Sequence, residues 1–253
     1  MLEVQNLTRA FGGLIAVNEV SFNVAARELV GVIGPNGSGK TTLFNLLTGF
    51  LRPTSGSIKF GGEEIANIPP HKISRRGIAR TFQAVRFHKE STVRETVWSA
   101  QASHLGIVSW LRGPASANQE QARFDEEVDR ILELTWLTEH ADRLARELPF
   151  GLVRQLEIAR ALATRPKLLL MDEPASGMNP TETEKLVSDI QRLHESGLTI
   201  VIIEHDMDVV MQLAQRIMVL NFGKKIAEGS PDEVRRDPEV VRAYLGSEKR
   251  KYA

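Results

Sequence analysis

The stretch "GPNGSGKTT", residues 34–42, matches the pattern G-x-x-x-x-G-K-[ST]. A short apolar segment, Leu29–Ile33, precedes it, and the apolar-periodic segment "KTTLFNLLTGF" begins within it. Glycines allow the backbone to turn its N–H groups towards an anion, and the N-terminus of the following helix favours negative charge. A glycine turn that caps a helix would satisfy the same pattern, but a strand before it and a helix after it are the context that a phosphate-binding loop requires.

We therefore expect this loop to bind the phosphates of a nucleotide. The ammonium group of Lys40 would contact the β- and γ-phosphates, the Thr41 hydroxyl would bind Mg²⁺, and Thr42 would add a second polar contact. The predicted phosphate-binding residues are Gly34, Pro35, Asn36, Gly37, Ser38, Gly39, Lys40, Thr41 and Thr42.

Two acids follow a second apolar run in "KLLLMDEP", where Asp172 and Glu173 end four apolar residues. A carboxylate that leaves a buried strand beside a phosphate loop can hold Mg²⁺ directly or through water, and this is the predicted role of Asp172. Glu173 points the other way by strand alternation, and it is placed to polarise a water for attack on the γ-phosphate. Two acids that cap the next helix are a plausible alternative on local evidence, but a weak one beside a phosphate loop.

Three further side chains are candidates, each with a simpler alternative. Gln83, in "TFQ", can reach Mg²⁺ or the attacking water, although a surface glutamine would look the same. His205, after the apolar run "IVII", can hold the γ-phosphate and orient Glu173, or it can be structural. Phe11 precedes two glycines and can stack on a base, or it can belong to the core.

Composition limits the remaining possibilities. The chain has 253 residues, a formal net charge of zero and no cysteine. This length suits one large domain or one domain with an inserted lobe, and the balanced charge gives no indication of a nucleic acid partner. The lack of cysteine excludes disulfides, thiol catalysis and cysteine-ligated zinc. The N-terminus does not resemble a signal peptide, and the longest apolar runs are far shorter than the ~20 residues that span a bilayer.

The order of segments predicts an α/β fold with a mostly parallel sheet. Early strand-like segments, with a hairpin turn at Gly61-Gly62, predict an antiparallel β subdomain. Later apolar runs alternate with helices, at about 180–196 and 207–215, as in a buried parallel sheet. We predict an ATPase-like core at 1–83 and 166–253, and a helical subdomain inserted at 84–165.

Taken together, these motifs resemble, in order and spacing, the nucleotide-binding subunits of ABC transporters, which have a P-loop NTPase core. The residues that carry the resemblance are Phe11, "GPNGSGKTT", Gln83, "LPFG" from Leu148, "LLLMDEP", "ASGMNP" and His205. The resemblance implies that the chain binds and hydrolyses ATP with Mg²⁺. It also implies that Phe11 stacks on adenine, that Val17 lines the nucleotide site, and that two such subunits form a head-to-tail dimer.

Other segments are similar to the LivG-type ATPase subunits of branched-chain amino acid importers. These segments are "FGGLIAVNEVSF", "LTGFLRPTSGSI", "RTFQAVRF", "IEHDMDVVM" and "DEVRRDPEVVRAYLG". The likeness implies two membrane permeases as partners, an indirect link to a periplasmic or extracellular solute-binding protein, and a peripheral position on the cytoplasmic face of the cell membrane. The stretch "AVRFHKESTVRETV" is expected to help form the groove that receives a permease helix.

The chain departs from the family pattern at one turn. In an ABC dimer this signature turn contacts the ATP held by the other subunit, and it usually reads L-S-G-G-Q. Here it reads Leu148-Pro149-Phe150-Gly151-Leu152. Pro149 removes a hydroxyl and an N–H, whereas the Gly151 N–H and the start of a helix remain. We expect weaker binding of the γ-phosphate, not loss of function. Asn179 likewise stands where the family commonly has an aspartate.

Three alternatives remain open at this stage. A related importer for urea or short amides has the same kind of ATPase subunit. Soluble ABC ATPases that act on DNA or ribosomes usually carry two cassettes or a long coiled coil, and this chain has neither. A nucleoside kinase would have the phosphate loop but would not need a signature turn.

Overall fold

The computed structural model describes residues 1–81, 90–102 and 114–248. Its strands are β1 Leu2–Phe11, β2 Leu14–Val24, β3 Leu29–Ile33, β4 Ser55–Phe60, β5 Glu63–Glu64, β6 Ile78–Arg80, β7 Leu168–Asp172, β8 Thr199–Ile203, β9 Arg216–Asn221 and β10 Lys224–Gly229. Its helices are α1 Lys40–Leu47, α2 Pro70–Arg75, α3 Val93–Ala102, α4 Pro114–Leu134, α5 Phe150–Ala163, α6 Pro180–Glu195, α7 Met207–Leu213, α8 Pro231–Arg236 and α9 Pro238–Glu248. Short 3₁₀ turns lie at Thr138–His140 and Ala145–Glu147.

The described strands form two sheets. One is antiparallel, in the order β2-β1-β4-β5, and its β4–β5 hairpin turns at Gly61-Gly62 as the sequence predicts. The other has the order β10-β9-β3-β8-β7-β6 and is parallel except for β10 at its edge. The α/β fold with a mostly parallel sheet and an antiparallel β part is therefore confirmed.

The middle strands of the parallel sheet are buried on both faces. Every residue of β3, β7 and β8 is buried, because helices cover the sheet on one face and the antiparallel sheet packs with α1 on the other. In the strand register, Ile203 pairs with both Val32 and Asp172. The loops after these three strands therefore meet at the edge formed by the carboxyl ends of the strands, where parallel α/β proteins bind ligands.

Helices occupy the described residues between β6 and β7. Helices α3, α4 and α5 share a hydrophobic core of their own, which includes Val97, Ile131 and Leu156. The opposite side of α5 packs on the parallel sheet through Ile158 and Ala161. Helix α5 therefore joins the helical part to the core. The exact subdomain bounds of 84–165 stay a prediction, since residues 82–89 lie outside the described part.

None of the helices described in the structure is long and apolar enough to cross a membrane.

Candidate nucleotide site

The loop between β3 and α1 is held in shape by its neighbours. An added Cβ atom at Gly34 would lie 2.1 Å from the Leu220 carbonyl oxygen, and one at Gly39 would lie 2.3 Å from that of Ala16. Both glycines have positive φ, at 153° and 104°. Backbone atoms block a side chain at both places, so the loop geometry requires glycine there.

Lys40 begins α1 and is buried inside this loop. Its Nζ atom donates hydrogen bonds to the carbonyl oxygens of Gly34 and Pro35, at 2.7 and 3.1 Å. Burial lowers the pKa of Lys40, and the carboxylates of Glu173 and Asp172 partly offset this effect. The ammonium group is thus held by the loop and feels the charge of both predicted acids, and its positive charge would attract an anion bound in the loop.

Asp172 ends β7 and is almost fully buried, with 4% of the residue exposed. Its Oδ2 atom accepts a hydrogen bond from Arg80 at 2.6 Å, whereas its Oδ1 atom is buried and has no hydrogen-bond partner in the described part of the chain. The Ser38 hydroxyl in the phosphate loop is also buried and has no partner in that part of the chain. Buried polar atoms are normally satisfied, so two such atoms at one edge of the sheet fit a site whose ligand completes them.

These donors fit Mg²⁺ bound together with a nucleotide. Mg²⁺ commonly takes one or two protein oxygens, several waters and phosphate oxygens of the substrate. Asp172 offers a carboxylate and Thr41, which is exposed, offers a hydroxyl. No group of three or more His, Cys, Asp or Glu side chains that could hold a metal ion occurs among residues 1–81, 90–102 and 114–248.

Glu173 follows Asp172 in a strained backbone conformation. Its φ is +47°, a left-handed value that is uncommon for a residue with a side chain and that clusters at functional sites. Its N–H donates to the Ile203 carbonyl oxygen at 2.8 Å, which fixes the turn to the neighbouring strand. The side chain is 21% exposed, so Glu173 can meet both solvent and substrate.

His205 follows β8 and lies beside Glu173. Its Nδ1 atom is 3.8 Å from Glu173 Oε2 and 3.6 Å from Glu204 Oε2. Glu204 is fully buried, and its Oε1 atom accepts a hydrogen bond from Ala175 N at 2.7 Å. Burial raises the pKa of Glu204, and the Ala175 N–H and the neighbouring histidine lower it in part. Sequence reasoning missed Glu204, although a carboxylate at the end of an apolar strand was a visible signal.

Phe11 ends β1 and 43% of the residue is exposed. The Arg9 guanidinium lies 4.5 Å from the centroid of its ring. An exposed aromatic ring is able to stack on a base, and the stacking of Phe11 on adenine stays a prediction. Val17, in contrast, lies on β2 and is fully buried in the core, so its predicted nucleotide contact stays a prediction that its burial does not favour.

The signature turn leads directly into α5. Pro149 is the N-cap residue and makes no side-chain capping bond, and Leu148 is buried in the core of the helical part. Phe150 starts the helix, and the Arg154 guanidinium lies 5.1 Å from the centroid of its ring. The same ring packs at Gly177, where an added Cβ would be 3.3 Å from it. The phenylalanine that replaces a family glycine therefore packs against the loop before α6.

Asn179 has a structural role in that loop. Its side chain accepts a hydrogen bond from Glu182 N at 3.0 Å, and the Glu182 carboxylate accepts one from Asn179 N at 3.0 Å. This reciprocal pair is a capping box at the start of α6. The spacing "NPTE" signalled it in the sequence, where Asn179 was read only as a substitute for a family aspartate.

The structure thus brings most predicted residues to one edge of the parallel sheet. The phosphate loop, Asp172, Glu173 and His205 all follow strands that end there. The predicted Gln83 lies outside the described residues. Arg80, which sequence reasoning did not select, pairs with Asp172; its only signal was a charge at the end of the apolar segment "GIAR".

The chain is similar to known proteins over almost its whole length. Residues 17–176 match the sequence profile described as ABC transporter, and residues 224–250 match that of the branched-chain amino acid ATP-binding cassette transporter. The chain is 46% identical to the high-affinity branched-chain amino acid transport ATP-binding protein BraF of Pseudomonas aeruginosa, over 97% of this chain and 98% of that protein. It is 43% identical to LivG of Escherichia coli K12, a protein described in the same words, over 97% and 98%.

Solved structures of ATP-binding cassettes are also similar to this chain over almost its whole length. A nucleotide-free ATP-binding cassette from an ABC transporter aligns with a TM-score of 0.84 and 34% identity, over 96% of this chain and 98% of that one. The ADP conformation of an ATP-binding cassette of an ABC transporter aligns with a TM-score of 0.83 and 34% identity, over 97% and 98%.

Proposed function

The chain belongs to the ABC transporter family, and from this membership we propose that it is the ATP-hydrolysing subunit of an importer for branched-chain amino acids. The observation that carries the ATPase proposal is the site itself. Lys40, Asp172 and Glu173 lie close enough for both carboxylates to act on the lysine charge, and the buried Asp172 Oδ1 atom has no partner within residues 1–81, 90–102 and 114–248. Similarity to the BraF and LivG proteins over the full chain supports the solute class.

Each residue of the site has a proposed task in ATP hydrolysis. The backbone N–H groups of the phosphate loop and the Lys40 ammonium bind the phosphates. Asp172 and Thr41 would hold Mg²⁺, with Gln83 proposed as a further contact, and Mg²⁺ bound there would offset negative charge on the phosphate oxygens. Glu173 removes a proton from the attacking water. His205 lies 3.8 Å from the Glu173 carboxylate and is placed to orient it towards that water.

The signature turn acts on a second ATPase subunit, identical or homologous, in a head-to-tail dimer. Within this chain it packs against the loop before α6, and it is presented at the N-terminus of α5. The N–H groups and dipole of that helix end attract a phosphate without any side chain. This supports a working turn despite the absent serine and glutamine.

The permease subunits are proposed to bind a groove between the core and the helical part, which places the chain peripherally on the cytoplasmic face of the membrane. Residues from both parts line the groove, among them Phe50 and His71 on the core side and Ala100, Glu157 and Arg160 on the helical side. A groove shared by two parts would transmit their relative movement to a helix seated in it. The stretch predicted to border it, residues 84–97, is described only from residue 90.

Co-purification tests the transport assignment. The tagged chain would be isolated from membranes with its associated permeases and solute-binding protein, and the complex would be placed in lipid vesicles. We expect leucine with its binding protein to stimulate ATP hydrolysis, and a complex carrying Lys40→Ala in this chain to show no such response. Stimulation by urea or a short amide instead of leucine would contradict the solute class, and recovery without any permease would contradict the transport role.

A further inference from the structure

We propose that Arg80 is a positioning residue for Asp172, which it anchors by one carboxylate oxygen so that the other faces the Mg²⁺ site. The inference rests on the proposed function, because it concerns how the chain prepares its metal ligand. Arg80 belongs neither to the phosphate loop nor to the acid pair Asp172 and Glu173. It ends β6, the strand beside β7 in the parallel sheet.

The ion pair between these residues is short and buried. Arg80 Nη2 lies 2.6 Å from Asp172 Oδ2, and the two side chains are only 6% and 3% exposed. Asp172 Oδ1 has no hydrogen-bond partner among the residues that the structure describes. One oxygen is therefore fixed by a charged hydrogen bond while the other is left for a ligand, and this asymmetry is what a metal-binding carboxylate needs.

Arg80 is itself anchored to the helix that follows the phosphate loop. Its Nη1 atom donates to Asn45 Oδ1 at 2.7 Å, and its guanidinium lies 5.5 Å from the centroid of the Phe44 ring. Both of these partners lie on α1, whose first turn carries Lys40 and Thr41. One guanidinium group thus ties the acid at the end of β7 to the helix that supplies the predicted hydroxyl ligand.

Only a planar, forked group serves both partners at once. The guanidinium donates from two nitrogens in fixed directions, whereas the ammonium of a lysine is a point charge on a flexible chain. Arg80→Lys therefore keeps the positive charge near the metal but loses the geometry. A change in metal binding in this variant reports orientation of Asp172 and not a change in local charge.

The test compares ADP affinity with and without Mg²⁺, so that hydrolysis plays no part. Calorimetric titrations of ADP would be made in excess EDTA and in excess Mg²⁺, and the ratio of the two dissociation constants is the metal-dependent gain. Loss of a residue that orients a metal ligand typically lowers metal affinity about 10–100-fold. We expect Arg80→Lys to lower the gain by roughly tenfold or more, while ADP affinity in EDTA stays within about twofold of wild type because the phosphate loop is unchanged.

Two further variants make the test specific. Arg75→Lys is the matched control, since Arg75 is an exposed arginine on the preceding helix α2, and it should leave the gain unchanged. Asn45→Ala keeps the ion pair but removes one anchor of Arg80, and it should lower the gain by less than Arg80→Lys does. This variant also keeps the inference testable if Arg80→Lys does not fold, which thermal unfolding would show.

The outcomes separate the inference from the function on which it rests. The role of Arg80 would be overturned if a folded Arg80→Lys protein kept the full metal-dependent gain. If Arg80→Lys does not fold, a full gain in Asn45→Ala would overturn it. Equal losses with and without Mg²⁺ would also overturn it, because they indicate general damage to the site. If wild type itself shows no gain, the proposed metal site is wrong. The inference is supported if Arg80→Lys lowers the metal-dependent gain about tenfold while ADP affinity in EDTA is unchanged. Electron paramagnetic resonance should then also show weaker binding of Mn²⁺ in the ADP complex of this variant.

Discussion

An added Cβ atom at Gly39 in the phosphate loop would lie 2.3 Å from a backbone oxygen, that of Ala16, whereas one at Gly151 in the signature turn would lie 3.2 Å from a side-chain oxygen of Glu182. The first neighbour is backbone fixed by strand β2, whereas the second belongs to a side chain whose carboxylate is held, within the described part of the chain, only by the Asn179 N–H of the capping box. At Gly34 and Gly39 the phosphate loop is thus enclosed by backbone, which leaves no room for a side chain. At Gly151 the signature turn is bordered by a side chain, which can adjust to a small change.

Matched glycine substitutions should expose this difference most strongly. Gly39→Ala forces a side chain into a left-handed conformation, which costs about 1–2 kcal/mol, and also into a backbone oxygen. The strained loop would relax out of its phosphate-binding shape, and nucleotide binding would have to restore that shape. We therefore expect nucleotide affinity of the isolated chain to fall by about 100-fold or more, at a factor of ten for each 1.4 kcal/mol. Gly151→Ala should leave this affinity unchanged, because the signature turn serves the nucleotide of the other subunit. Equal losses in the two variants, measured by ADP titration, would erase the distinction.

Phe11 extends the comparison to the base end of the site. Aromatic stacking contributes about 0.5–1.5 kcal/mol beyond buried area, so Phe11→Ala should weaken ATP binding roughly tenfold. GTP binding should weaken to a similar extent, because a ring face does not distinguish base edges. Titrations with both nucleotides measure this, and unchanged ATP affinity would show that the exposed ring at the end of β1 has another purpose.

Pro149→Ser tests how far the signature turn tolerates change. Pro149 is the N-cap of α5 and makes no side-chain capping bond, so serine would add both a cap and a donor for the γ-phosphate. We expect ATP hydrolysis with the partner subunits present to be at least as fast as in wild type. A large loss of activity would mean that the proline gives the turn a geometry of its own, as strict as that of the phosphate loop.

The smallest expected effect concerns Glu204, which holds the loop that packs on the signature turn. Burial raises the pKa of Glu204 above its usual value, so the folded chain binds this proton more tightly than the unfolded chain. Its contribution to stability is therefore greatest at acid pH and falls as pH rises through the raised pKa. From pH 5 to pH 8, the unfolding temperature of wild type should therefore fall relative to that of Glu204→Gln. If the difference between the two unfolding temperatures stays constant over this pH range, the raised pKa of Glu204 is contradicted.

Local patterns were sufficient to predict much of the site. The phosphate loop follows from glycine and lysine spacing between a strand and a helix, and the acid pair follows from its place after an apolar run. The Arg80–Asp172 pair was not predictable, because it joins residues 92 positions apart and depends on strand order. The packing of Phe150 at Gly177 is equally long-range. Asn179 differs from these, since its capping pattern was present in the sequence.

ATP-driven dimer formation is the most direct test of the proposed roles of Glu173 in hydrolysis and Lys40 in phosphate binding. Glu173→Gln removes the general base but keeps the size of the side chain, so hydrolysis should slow by about 10²–10⁴-fold. It also removes a negative charge near the γ-phosphate, so ATP binding should hold or tighten. Lys40→Ala removes the buried ammonium from the phosphate loop and should lose both ATP and the dimer.

Size-exclusion chromatography in Mg-ATP, with the cognate partner if the pair is a heterodimer, separates these outcomes. We predict that Glu173→Gln elutes as an ATP-bridged dimer while Lys40→Ala elutes as a monomer. Hydrolysis at the wild-type rate by Glu173→Gln, or a Glu173→Gln monomer in ATP just like Lys40→Ala, would contradict the assigned role of Glu173.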